Sequence, residues 1–323
     1  MKTPFNTKGV AIEVLLRPGS WEEYIGQEKI KKNLEIMLGA AKKRKEPCDH
    51  LLLYGQTGLG KTTLAHLIAR ELGANLKATS GPALEKIGDL AAALSSLEPN
   101  EVLFIDEIHR LNRMIEEVLY PALETRKLNL MVGKGPGARM FTLDLPPFTL
   151  IAATTRVHLL SAPLRSRFGA VLHFDYYTLP DIETIIKRSA KILGIPITPD
   201  AVKRFAMVSR ATPRVANQLL KRARDYVEFH NERTIDDEVV SKTLALLEID
   251  ELGLTSADRR LLHVAITKFH GGPVGIDALA AALNEDRGTI EDVYEPYLMS
   301  INFISRTPAG RVVTQKAKEH LRQ

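Results

Sequence analysis

A single cysteine, Cys48, stands among 323 residues. No internal disulfide can form, and no cluster of Cys and His has metal-ligand spacing, so a packed core must hold the fold. No apolar run approaches the roughly 20 residues a membrane-spanning helix needs. The opening "MKTPFNTKGVAIEV" lacks the apolar core of a signal peptide. Internal repeats and low-complexity stretches are missing too. These absences predict a cytoplasmic protein with no membrane partner. What is present is ordinary for a globular chain: 45% hydrophobic and 26% charged residues, enough for two or three domains with proper cores. The net charge of +5 permits a polyanionic partner without requiring one.

The organisation follows from runs and breakers. The first 20 residues read as irregular, broken by Pro4, Gly9, Pro18 and Gly19. A helix is predicted from Trp21 to Pro47, with Ser20 as its cap and Glu23 completing a capping box. The apolar run "HLLLY" leads into a glycine loop and then the helical pattern "TTLAHLIARELG", a strand, loop and helix in succession. "EVLFIDEIH" and "FTLIAATT" read as further buried parallel strands. Between them lie a helix, "NRMIEEVLYPALETR", and an insertion whose two extended arms flank Gly-Pro-Gly, a protruding hairpin over about 128–143. After "LHFDYYT" the strand signal ends. Residues 181–250 carry consecutive amphipathic helices, and from Thr255 short helices lead to "FISRTPAGRVVT", two strands around a turn. The predicted fold class is α/β: a P-loop parallel-sheet domain over 1–180, a helical domain over 181–252 and a winged-helix domain over 253–323.

Chemistry concentrates at the ends of the strands. Gly55 to Thr62 is G-x-x-x-x-G-K-T; Gly55, Gly58 and Gly60 let the backbone wrap phosphate oxygens, Lys61 reaches the outer phosphates and the Thr62 hydroxyl suits Mg²⁺. Asp106 and Glu107 close the next strand, where Asp106 can hold Mg²⁺ through water and Glu107 can polarise an attacking water. Thr154 and Thr155 end the third strand, with hydroxyls able to orient water or phosphate. Arg165 and Arg167 follow in "APLRSRFG", either solvated or aimed at a phosphate. Arg214 heads a helix, where the dipole disfavours a cation and so hints at a function. In the hairpin, Leu128, Leu130, Met131, Val132, Met140 and Phe141 make either a docking patch or a surface folded back on the sheet. Residues 306–323 hold Arg306, Arg311, Lys316, Lys318 and Arg322 against Glu319, a wing suited to phosphate contact or to protein contact.

The order of loop lysine, Asp-Glu strand, threonine strand end and two arginines resembles an AAA+ ATPase. "LRPGSWEEYIGQE", "DHLLLYGQTGLGKTTLAHLIA", "VLFIDEIHRLN", "PPFTLIAATTR", "APLRSRFG" and "GGPVGIDALAAAL" with "TIEDVYEPYLMSINFISRTPAGRVVT" resemble the RuvB family of bacterial Holliday-junction branch-migration motors, from about Leu15 to Leu321. The resemblance implies an ATP/ADP and Mg²⁺ site. Gly55, Gly58, Leu59, Gly60, Lys61, Thr62 and Thr63 would hold phosphate, and Leu16, Arg17, Tyr24, Ile25 and Tyr177 would lie near the base. It further implies Asp106 and Glu107 as metal and water residues, Thr155 as first sensor, Arg167 as a finger serving the adjacent subunit, and Pro213 with Arg214 as second sensor. The helical domain would be the AAA+ lid, the hairpin would dock a RuvA-type partner, and Arg306 and Arg311 would face DNA. The implied assembly is a homo-oligomeric ring, a hexamer on the duplex arms of four-way junctions, acting in recombination and recombinational repair. The chain departs from the family pattern at Gln56 and Thr57, at Val157 and His158, at Thr125 and Arg126, in "MSINF", and at Ala309, which removes one wing cation. None of these is a hydrolytic residue. A clamp-loader-like remodeller and an ATP-gated DNA-binding switch remain as alternatives.

Overall fold

Runs of successive apolar residues belong in a sheet covered on both faces, and three of them become the middle of one. The computed structural model describes residues 12–132 and 139–322. The strands up to Tyr177 are β1 (Leu51–Tyr54), β2 (Leu76–Ser80), β3 (Val102–Asp106), β4 (Lys127–Val132), β5 (Arg139–Asp144), β6 (Thr149–Thr154) and β7 (Ala170–His173). Five of them form a parallel sheet in the order β2-β3-β6-β1-β7, while β4 and β5 pair separately as an antiparallel hairpin. Side chains alternate across the sheet. Leu52, Leu103, Ile105, Leu150 and Ala152 join Ile115, Leu119 and Ala122 of the helix Arg113–Thr125 in one core. The helix Lys61–Leu72 also packs against β3 and β6.

Two features depart from expectation. β2 was not predicted; it is an edge strand whose residues are only half covered, so "LKATS" carries neither an apolar run nor strict alternation. The helix expected from Trp21 starts only at Glu28 and ends at Arg44. Gly26 and Gln27 take left-handed backbone, at φ 76° and 55°, which no helix can pass through. Glu23, the expected box residue, instead accepts the Gly19 amide at 2.8 Å within a local turn. The short helix Ile12–Leu15 lies within the start expected to be irregular, and residues 1–11 lie outside the described residues.

A second compact unit runs from Thr178. Its first part is four helices, Leu179–Leu193, Pro199–Val208, Pro213–His230 and Asp237–Leu246. Thr178 and Asp181 form a reciprocal capping box, and Thr198 and Asp236 cap their helices singly. The second part has the helices Ser256–Phe269, Ile276–Leu283 and Glu295–Ser300, then β8 (Ile304–Thr307) and β9 (Gly310–Val313), then the helix Gln315–His320. Val274 adds a bridge to Arg311 beside the β8–β9 pair. Leu261, Leu279, Leu298, Phe303 and Val313 share its core, the arrangement expected of a winged helix.

Candidate active site

The carboxyl edge of the sheet gathers the ends of β1, β3 and β6, the side on which open α/β sheets bind ligands. Gly55 leaves β1 at φ 148°, where a Cβ would sit 2.7 Å from the Phe174 carbonyl oxygen, so only glycine fits. The loop ends at Gly60 (φ 94°), and the helix Lys61–Leu72 begins there without a side-chain cap from Gly60, the kind of helix start that suits an anion. Lys61 is buried, and its Nζ donates to the carbonyls of Gly55 at 2.7 Å and Gln56 at 2.8 Å. This bends the lysine back across its own loop. Gly58, Leu59 and Thr63 lie on the same loop and helix start, with Leu59 buried.

Thr62 Oγ1 donates to Asp106 Oδ2 at 3.3 Å, while Asp106 Oδ1 accepts the Glu107 amide at 3.0 Å. A hydroxyl and a carboxylate oxygen side by side fit Mg²⁺, which takes one or two protein ligands and completes its shell with water and phosphate. Among the described residues no group of three or more His, Cys, Asp or Glu could hold a metal ion by itself. When bound, the ion would supply charge neutralisation on the phosphates. Glu107 stands in left-handed backbone at φ 48°, strained for a non-glycine. Its carbonyl oxygen lies beside Gly81, where a Cβ would come within 2.4 Å, so only glycine leaves room for it there. The Glu107 carboxylate accepts Thr155 Oγ1 at 3.3 Å and lies 3.2 Å from His109 Nδ1. His109 Nδ1 is also 2.9 Å from Thr154 Oγ1, which accepts the Arg156 amide at 3.0 Å. Thr154 therefore braces His109, and Thr155 reaches Glu107. Sequence reasoning missed His109; two residues beyond an Asp-Glu strand end, it gave only proximity as a signal.

Beside the loop, Tyr24 and Tyr177 are both buried. Their hydroxyls lie 3.4 Å apart, and that of Tyr177 donates to the Leu59 carbonyl at 3.2 Å. Burial, and then the neighbouring Tyr177, push the Tyr24 hydroxyl well above the usual phenol range, so it stays neutral. The two rings thus support the loop from behind, and a Cβ on Gly60 would lie 3.0 Å from the Tyr24 hydroxyl. Leu16 is buried, Ile25 is half-buried and Arg17 is exposed. Burial, and then the charge of Arg17, lower the His66 pKa, which sets Arg17 near the Lys61–Leu72 helix.

Arg167 lies just past the helix Ala162–Arg165 and is half-buried. Its Nη2 donates to Glu124 Oε2 at 2.9 Å, while its Nε is buried without a hydrogen-bond partner among the described residues. Arg165 is exposed. Pro213 and the exposed Arg214 open their helix in the second unit.

Three family models together match most of the chain. The RuvB P-loop domain of Holliday junction DNA helicases matches residues 16–174, the RuvB AAA lid domain residues 177–250 and the RuvB C-terminal winged-helix domain residues 251–322. The chain belongs to the RuvB family. It is accordingly a P-loop ATPase of the Holliday-junction helicase class. The Thermotoga maritima RuvB Holliday junction branch migration motor is 50% identical, with a TM-score of 0.88 over 95% of this chain and 98% of that one. A point mutant of the same motor matches at 49% identity and a TM-score of 0.89, with the same coverage.

Outside the sheet edge, the hairpin divides in two. Leu128 is a correction: it is fully buried in the core with Leu145 and Phe148, and Leu130 packs partly against the same core. β4 leaves directly from the Arg113–Thr125 helix, so its first inward side chains still belong to the domain. Met131, Met140 and Phe141 are exposed by 69%, 67% and 56%. Met131 pairs across from Met140 on one face of the hairpin and Phe141 from Leu130 on the other, so the hairpin exposes apolar groups on both faces. Val132 pairs in register with Arg139. The Gly-Pro-Gly turn lies outside the described residues.

On the wing, Arg306 and Arg311 converge on Glu295, whose carboxylate is fully buried. Arg311 Nε donates to Glu295 Oε1 at 2.7 Å and its Nη2 to Glu291 at 3.2 Å; Arg306 donates to Glu295 Oε2 through Nε at 2.8 Å and also through Nη2. Arg311 is mostly covered and Arg306 half exposed, so charge counting alone overstates what the wing presents to a polyanion. Removing the carboxylate leaves two guanidiniums facing each other in a sheltered site. Glu295→Ala is expected to destabilise the winged helix by about 3–5 kcal/mol, read as a lowered thermal midpoint; an unchanged midpoint would show the cluster to be dispensable.

Proposed function

We propose that this chain is an ATP-driven motor that closes into a head-to-tail ring, a hexamer, on the duplex arms of four-way DNA junctions and promotes branch migration in the bacterial cytoplasm. The observation that carries the reading is the joint placement of Thr62 against Asp106 and of Thr155 and His109 against Glu107. A pure switch needs the first pair to bind nucleotide. It has no need of a carboxylate braced from two sides for proton transfer. In this reading Lys61 and Thr62 hold the phosphates and Mg²⁺ with Asp106, Glu107 activates water, Thr155 senses the outer phosphate and Arg214 acts as second sensor. Arg167 completes the site of a neighbour. Leu16, Arg17, Tyr24, Ile25, Tyr177 and Pro213 shape the nucleotide's surroundings.

The exposed Met131, Met140 and Phe141 dock a RuvA-type junction-binding partner, and half-exposed Arg306 contacts DNA phosphate beside the wing. Arg311 supports that contact through Glu295. The test is dissociation of a synthetic four-way junction, with and without a RuvA-type partner and with Lys61→Ala as the blank. Dissociation is expected only with both ATP and the partner. Replacing Met140 and Phe141 together by serine is expected to remove the partner's stimulation and leave basal ATP turnover intact. Sustained turnover with a junction that never moves, using the partner from the same organism, would defeat the motor reading.

A further inference from the structure

We propose that Arg210 is a strut that joins the lid helices and the winged helix into one lever, so that lid movement during the ATP cycle reaches DNA undamped. The inference rests on the motor reading above. Arg210 lies in the break between the helices Pro199–Val208 and Pro213–His230, and it and Ala211 hold left-handed backbone at φ 55° and 52°. Two adjacent non-glycine residues persist in that region only where their surroundings over-determine them. The break is held by Thr212, whose amide and Oγ1 both donate to the Ser209 carbonyl at 3.2 Å, with both residues buried.

The strained backbone aims the guanidinium out of the lid and into the winged-helix part. Its Nε donates to the Gly253 carbonyl at 2.9 Å, its Nη2 pairs with Asp258, and its Cζ lies 4.8 Å above the centre of the Tyr297 ring. Each partner is itself fixed. Asp258 is fully buried and caps the helix Ser256–Phe269, accepting the Thr255 amide at 2.8 Å and its hydroxyl at 2.6 Å. The Tyr297 hydroxyl donates to the Leu252 carbonyl. A planar fork with a stacking face suits this combination of carbonyl, carboxylate and ring, and a lysine could not replace it.

The connecting segment is also unlike a hinge. Gly253, at φ 78°, lies so close to the last turn of Pro199–Val208 that a Cβ would sit 2.5 Å from the Val208 carbonyl oxygen. Arg259 donates to the carbonyls of Leu254 and Glu248, each at 2.8 Å, and His320 Nε2 meets Asp250 Oδ2 at 2.9 Å. The linker between lid and winged helix is therefore tied from both sides. Arg214, the proposed second sensor, follows Arg210 by four residues, across the same rigid break. The proposed sensor and the winged-helix contact thus share one short piece of chain.

The experiment measures distance and coupling together in the full chain. Spin labels at Phe229→Cys and Val293→Cys, both exposed, report on the lid and the winged helix respectively. With Arg210 intact, one narrow distance distribution is expected, the same in ADP and in a non-hydrolysed ATP analogue. Arg210→Lys is expected to broaden it and to lower junction dissociation per ATP at least tenfold, with basal ATP turnover held. Tyr297→Leu, which removes the stacking face without uncapping a helix, should act in the same direction and guards against a folding defect in the first variant. A wild-type distance that changes with nucleotide, or variants that leave both distance and coupling unchanged, would overturn the strut. Arg214→Ala with full nucleotide response would instead remove the sensor assignment, leaving the label distances to decide the strut.

Discussion

Glu107→Gln is expected to bind nucleotide as tightly as the native chain and to lose steady-state ATP turnover by about a hundredfold to ten-thousandfold, the usual contribution of a positioned general base. The amide matches the carboxylate in size and can still meet Thr155 Oγ1, which now lies 3.3 Å away. It cannot take a proton from water. Because Asp106 and Thr62 stay in place, phosphate and metal binding survive, so affinity and turnover separate. His109 sharpens the test. Its Nδ1 faces both Glu107 and Thr154, so His109→Ala loosens the carboxylate without removing it. A loss of turnover intermediate between native and Glu107→Gln would fit a positioning residue. Retention of more than about a tenth of native turnover by Glu107→Gln would contradict the base assignment.

The site was legible where chemistry and strand pattern coincide. β1, β3 and β6 are continuous apolar runs that stop at glycine, aspartate or threonine, and those stops lie at the carboxyl edge of the sheet, where the candidate residues gather. Spacing along the chain could not reveal which polar neighbours turn toward the stop. His109 reaches Glu107 only because the backbone reverses at φ 48° and continues as the turn Ile108–Arg110. β2 stayed hidden for the opposite reason: an edge strand needs little apolar surface, and its closing turn contributes a glycine, Gly81, that leaves room for the Glu107 carbonyl instead of a reactive side chain.

Charged and apolar surfaces were the least legible. Leu128 and Met131 look alike as hairpin residues, yet one is core and the other is open, because the sheet's core extends into the base of the hairpin. Arg306 and Arg311 read as free wing cations because their acceptor, Glu295, is supplied by a helix start eleven and sixteen residues upstream. Glu295 itself has no sequence mark of burial; only tertiary packing decides it. The same holds for Glu124, which takes Arg167 across a gap of 43 residues.

That pairing shapes the second large expectation. Arg167→Ala should abolish turnover in the assembled ring, by about a thousandfold or more, as loss of a finger does in related phosphoryl transfer, with nucleotide binding unchanged. In the single chain the guanidinium is half-buried and donates to Glu124 and Ser166. If Arg167 serves a neighbour's site, two inactive proteins should repair each other. A Lys61→Ala protomer cannot turn over ATP but still offers its own Arg167; an Arg167→Ala protomer has an intact Lys61 site and lacks only a finger. In a heterologous ring, an interface that joins the two in the right order is complete. Mixing the variants is therefore expected to restore a fraction of native turnover that rises and falls with the mixing ratio, peaking near equal amounts. An arginine acting within its own chain gives no rescue at any ratio. Mixed rings shown to assemble, yet inactive throughout, would place Arg167 in service of its own site and remove the requirement for a ring from the hydrolytic step.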